Sequence, residues 1–174
     1  YKDSRYIVMP EPNPFRDIIR DDPNRSMLGN NQKEWLRQSL LNSTAKWKVI
    51  VSTVPWNPTV PKDDAWWDFR AEQKELIEFI QTNNIEGIIF VSGDIHTGGA
   101  IDDGTNSIFP EMNVPKINEI GHRNHCTCGV HKPGQRLGHG EWSHGFLEQG
   151  MGYGVIILTG DTYLLKVANE YGYT

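Results

Sequence analysis

Residues 93–96 read Gly-Asp-Ile-His, directly after the apolar run Ile-Ile-Phe-Val-Ser and just before Thr-Gly-Gly. A carboxylate and an imidazole two positions apart project to the same side of an extended segment. Asp94 and His96 would therefore form a donor pair suited to zinc, manganese or iron. The neighbouring Gly93, Gly98 and Gly99 leave room for backbone to approach an ion or an anionic ligand closely. The bland alternative is a capping Asp beside a hydrogen-bonded His at an ordinary strand end. Residue types alone leave both readings open.

Other clusters carry weaker signals. His122, His125, Cys126, Cys128 and His131 fall within ten residues, a density that could hold zinc, but the spacing is not that of a standard knuckle. Free thiols or a Cys126–Cys128 link are the competing readings. Glu111 is a candidate for the site loop, against a solvated or helix-capping role. Asp102 and Asp103 are explained by an Asp-Asp-Gly turn without any ligand. Of the six tryptophans, Trp35 and Trp47 flank a helix and are expected to pack. Trp66, Trp67 and Trp142 sit in loops and are the better pocket candidates. Asn24-Arg25-Ser26 and Asn42-Ser43-Thr44 match the glycosylation pattern, a match expected to be empty.

The elements that must position Asp94 and His96 are legible on either side of them. Leu28, Trp35, Leu36, Leu40 and Leu41 approximate a 3.6 period and predict a helix over about 31–42. The run WKVIVSTVP then predicts a buried strand near 48–54, ended by Pro55. A Pro-rich loop leads to a second helix with Phe69, Leu76, Ile77 and Ile80 on one face, and EGIIFVSG gives a second strand near 87–92. This is a β-α-β unit with parallel strands and a right-handed crossover, which places residues 93–96 at the carboxyl edge where ligands collect. Residues 10–26 hold four prolines and read as a loop with at most one helical turn. No sustained periodicity appears from Gly98 to about Gly152, so a long irregular loop lining the site is expected. The segment from Tyr153 to Gly172 reads as a β-hairpin around Thr-Gly-Asp.

With 174 residues, 37% hydrophobic and 22% charged, the chain is sized for one globular domain. Its net charge of -5 and the lack of any Lys/Arg stripe argue against a nucleic-acid-binding surface. No apolar run reaches the 18 or so residues of a membrane span.

Three stretches resemble the PhoD-like alkaline phosphatases of the calcineurin-like metallophosphoesterase superfamily: DSRY at 3–6, LGNNQKEWLRQSLLNSTAKWKVIVS at 28–52, and IIFVSGDIH at 88–96. FPEMNVP, EWSHG and GYGVIILTGDTYLLKV extend the resemblance over most of the chain. It implies an α/β fold that is part of a four-layer α/β/β/α sandwich, with a long irregular site loop and a C-terminal β-hairpin. It implies that Asp94 and His96 are metal-site and catalytic residues, with iron and calcium as the associated ions and zinc or manganese as alternatives. The remaining metal motifs of that family lie in the front half of the fold, and none is present before Asp3. The VSTVPW strand offers only Thr53 and Val54 where related enzymes carry a further ligand His. Residues 1–174 thus resemble the C-terminal part of one domain, whose partner is the N-terminal half. The expected substrate is a small phosphate ester, monoester or diester, hydrolysed in the periplasm or outside the cell. The alternative is a non-catalytic binding or assembly module that keeps the fold.

Overall fold

The computed structural model describes residues 19–60, 65–95, 99–115, 140–145 and 151–169. Helix α1 spans Gly29–Asn42 and strand β1 spans Lys48–Val51. A 3-10 turn, Trp66–Phe69, leads into helix α2, Arg70–Thr82, and then into β2, Ile88–Ser92. Strands β3, Ala100–Asp102, and β4, Glu111–Asn113, follow. The hairpin β5, Gly152–Thr159, and β6, Thr162–Asn169, completes the described chain.

The start of α1 is held from a distance. Glu72, nearly fully buried in α2, accepts from the Ser26 hydroxyl at 2.5 Å and from the Met27 and Leu28 amides at 2.6 and 3.3 Å. Ser26 Oγ in turn accepts from the Gly29 amide at 2.6 Å, so the amides of Met27, Leu28 and Gly29 that lead into α1 all have acceptors. Helix α2 stops in a Schellman arrangement: Asn84 turns left-handed at φ 52°, its amide meets the Gln81 carbonyl, and the Ile85 amide reaches back to that of Ile80. Ile85 then packs on the same core as Ile80, which turns the chain straight into β2.

The main sheet has the order β1-β2-β4-β3. β1, β2 and β4 are parallel, with Lys48 opposite Ile88 and Phe90 opposite Glu111; β3 is antiparallel to β4. The predicted β-α-β unit is therefore present, although β1 ends at Val51 and not near residue 54. The expectation of an irregular stretch from Gly98 onward needs correction. β3 and β4 lie inside it, each three residues long, too short to show an alternation.

Alternate residues of β2 serve two cores. Ile88 and Phe90 face Leu40, Trp56, Trp66, Leu76 and Ile80 on the helix side. Ile89 and Met112 face Leu165 and Val167 of the hairpin on the other. Helices, sheet and hairpin thus form three layers, a mixed α/β architecture with a C-terminal antiparallel hairpin. Gly154 marks how closely the hairpin approaches: a Cβ there would meet the Met112 Cε at 2.7 Å and a Val114 methyl at 2.8 Å. The hairpin turn is Gly160–Asp161, with Gly160 at φ 50°.

The tryptophans divide differently from expectation. Trp35 is 64% exposed on α1, and Leu41 is exposed too. Trp47 does pack, edge-on to Tyr163 with centroids 5.3 Å apart, and donates to the Gly160 carbonyl. Trp66 and Trp142 are buried core residues, the latter with Val60, Ile95 and Ala100. Among the described residues no helix is long and apolar enough to cross a membrane.

Candidate active site

β2 is buried along nearly its whole length and covered on both faces, and its carboxyl end delivers Gly93, Asp94 and Ile95. Asp94 is half-buried and adopts φ 70°, a left-handed conformation that a non-glycine residue holds only when its surroundings impose it. Asp is among the residues that tolerate it best. The conformation breaks the extended path of the strand at this residue. Ile95 is buried again, 1% exposed, in the small core with Val60, Ala100 and Trp142. His96 and Gly98 lie outside the described residues, as do the His122–His131 cluster and the DSRY segment. Gly99 is described, and its role is packing against the hairpin: at φ 105°, a Cβ would collide with the Val167 methyl.

Beneath the turn lies a buried polar network that residue spacing did not reveal. Glu111 is fully buried, not solvated or capping a helix. One of its oxygens, Oε1, accepts from the Ser92 hydroxyl and from the Trp56 amide, the latter at 2.9 Å. Its other oxygen, Oε2, has no hydrogen-bond partner. Burial pushes its pKa up to about 7; the Ser92 hydroxyl and the Trp56 and Asn57 amides offset this in part, and the Asp102 charge adds to it. Asn113 donates to Ser92 Oγ at 2.9 Å and to the Gly93 carbonyl at 2.7 Å. The network could have been found only from the β2–β4 register, which sets Ser92 opposite Asn113.

Asp102 follows the expected turn chemistry. Its Oδ1 accepts from the amides of Gly104, Asn106 and Ser107 and from the Ser107 hydroxyl, and its Oδ2 from Asn106 Nδ2 and the Ser143 amide. Burial opposes its ionisation, but this set of donors outweighs burial and holds the carboxyl well below its ordinary range. It is a structural anion, with no lone pair left over for a ligand. Asp103, exposed, makes the smaller turn with Thr105.

A strand-end carboxylate in a parallel α/β sheet defines a ligand-binding edge, and the sequence profile described as PhoD-like phosphatase matches residues 2–162. The chain belongs to the PhoD-like phosphatase family. It is 31% identical over 87 residues to alkaline phosphatase D of Bacillus subtilis (strain 168), an alignment covering 45% of this chain and 15% of that protein. The solved structure titled "Structure of PhoD" is 23% identical, with a TM-score of 0.47, covering 53% of this chain and 21% of the other. The chain thus spans a small part of the length of these relatives.

Membership of this family raises the question of a metal. The Asp94 carboxylate is a donor of the right hardness. Among the described residues, however, no three His, Cys, Asp or Glu side chains gather where they could hold an ion. The described residues therefore do not make a metal centre by themselves.

Proposed function

We propose that this chain is the C-terminal part of a phosphatase that hydrolyses small phosphate esters, monoesters or diesters, with a metal-activated water. Family membership over residues 2–162, together with the Asp94 carboxylate at the end of the central strand, carries the reading. Asp94 and His96 are the site residues, Asp94 holding or orienting one ligand position and His96 supplying a nitrogen. Bound ions, iron and calcium first and zinc or manganese next, would lower the pKa of a coordinated water and neutralise the phosphoryl oxygens. The chain's own part is to present the carboxylate from a rigid, doubly covered strand.

Two side chains cannot hold such ions against water, so the remaining ligands come from an N-terminal half of the same fold. The exposed outer stripe of the hairpin, Tyr153, Ile157 and Leu164, and the exposed Val49 and Val51 of edge strand β1 support this, because a further layer and strand would cover them. That completes the four-layer sandwich. By itself the 174-residue chain is inactive. The site of action is the periplasm or the exterior of the cell.

The test uses the full-length polypeptide, with a chromogenic phosphate ester and with metals supplied or chelated. Hydrolysis lost on chelation is expected, and His96→Ala should cost roughly two decades in rate and lower the metal content with the fold intact. A folded protein that takes up no metal and hydrolyses nothing would instead be a non-catalytic module on this fold.

A further inference from the structure

Asp94 stands between two fixed points, and the polar one is chemically unexpected. After the turn, Ile95 is plugged into the Val60–Ala100–Trp142 core. Before it, the Ser92 carbonyl accepts from the Val114 amide at 2.7 Å and the Gly93 carbonyl accepts from Asn113 Nδ2 at 2.7 Å. Asn113 is 1% exposed and its amide bridges two acceptors, Gly93 O and Ser92 Oγ. The Ser92 hydroxyl can accept from Asn113 because its own proton goes to Glu111. Glu111 is steadied in turn by the Trp56 amide, and the Trp56 ring stacks on Phe90 at 4.2 Å. The donors thus converge on Glu111 Oε1, Asn113 through Ser92 from one side and the Trp56 amide from the packed core on the other.

We propose that Asn113 is a positioning residue for Asp94: its side-chain amide clamps the Gly93 carbonyl and so holds the turn in which Asp94 is left-handed. A buried strand face this close to the core would pack as well with apolar side chains, and burying Ser, Glu and Asn together has a desolvation cost. What the polar set adds is a directional bond to the one backbone carbonyl that precedes Asp94. A left-handed non-glycine residue is strained, and an external clamp must oppose that strain. Without it the segment can relax toward extended backbone and swing the carboxylate off the strand end.

The proposal rests on the reading of Asp94 as a working residue, so its test has one arm that needs no activity. In the full-length protein, Asn113→Leu removes the donor at nearly constant volume; Asn113→Ala replaces it if the leucine prevents folding. Amide hydrogen exchange over residues 93–95 is expected to speed up by about tenfold or more, with exchange in α2 unchanged. Turnover of a phosphate ester should fall by about tenfold at unchanged KM, as misplacement of a catalytic group does. In an Asp94→Asn background the Asn113 substitution should lower kcat no further, because it acts through Asp94. Unchanged exchange at 93–95, unchanged kcat despite faster exchange, or additive losses in the double variant would each overturn it. Faster exchange in a protein whose parent hydrolyses no phosphate ester would support the clamp and remove the enzymatic reading alone.

Discussion

Asp102 and Glu111 sit opposite each other across β3 and β4, both fully buried, and the fold drives their protons in opposite directions. Asp102 ends β3 where a loop curls over it and aims six donors at its two oxygens. Glu111 begins β4 under Trp56, with two donors on one oxygen and an unpartnered second. Glu111 also lies deeper in the protein than Asp102, so its charged form loses more solvation. Depth and the number of N–H and O–H groups converging on each carboxyl together decide which stays ionised. Once Asp102 is charged, its field further disfavours a second charge at Glu111. The strand-end region thus has one rigid anionic post and one carboxyl poised near neutrality.

The largest effect should come from removing the post. Asp102→Ala would leave four backbone amides, Asn106 Nδ2 and the Ser107 hydroxyl facing a void, and it would release the 103–107 loop and the Ser143 segment together. Several buried donors without partners should cost about 4 kcal/mol or more of unfolding free energy, measured by denaturant titration of the full-length protein. A loss under about 1 kcal/mol would mean that water replaces the carboxylate without difficulty, and the contrast with Glu111 would fail.

Glu111 should show itself through pH. Its folded pKa, about 7, lies above the ordinary value of 4.5, so between those values the folded state keeps a proton that the unfolded state has released. Its contribution is fully present below about pH 4.5 and is lost as pH rises toward 7, by roughly 3 kcal/mol in total. Glu111→Gln keeps an acceptor for Ser92 and Trp56 but cannot ionise. Unfolding titrations from pH 4.5 to 8 should therefore show the parent losing stability relative to the variant, which stays flat. Asp102 predicts the opposite limb: its depressed pKa gives stability present above its ordinary value of 3.8 and lost as pH falls below it. Parallel profiles for parent and Glu111→Gln would remove the distinction between the two carboxyls.

The contrast also shows what the sequence could and could not say. The β1–α2–β2 unit was legible because its strands are unbroken β-branched and aromatic runs and its helix keeps a 3.6 period. The hairpin was legible because Thr-Gly-Asp separates two runs of eight. The Asp102 turn was readable too, since every donor but Ser143 comes from the next five residues. Glu111 was not, because its partners Trp56 and Ser92 are 55 and 19 positions away and meet it only once β2 and β4 pair. Trp142 is hidden for the same reason: a tryptophan in a loop looks available until Ile95 and Val60 are brought beside it. Residue type and place point to Asp94, whereas its left-handed backbone, set between the Gly93 carbonyl bonded to Asn113 and the buried Ile95, shows only in the fold.

The smallest predicted effect lies one residue from the largest. Asp103 has the same side chain as Asp102 and the same Asx-turn chemistry, accepting from the Thr105 amide at 3.0 Å and from its hydroxyl at 2.6 Å. Those hydrogen bonds lower its pKa as well, yet it is exposed, and His144 lies 3.8 Å away in solvent. Water can replace each partner that Asp103→Ala would remove, so the folded and unfolded states lose similar amounts and little net stability changes. Its melting temperature should stay near that of the parent, while Asp102→Ala drops far below it in the same experiment. Comparable drops for the two variants would show that turn geometry, and not buried donor count, sets the energetics of this edge. The explanation offered for the opposite behaviour of Asp102 and Glu111 would then have to be withdrawn.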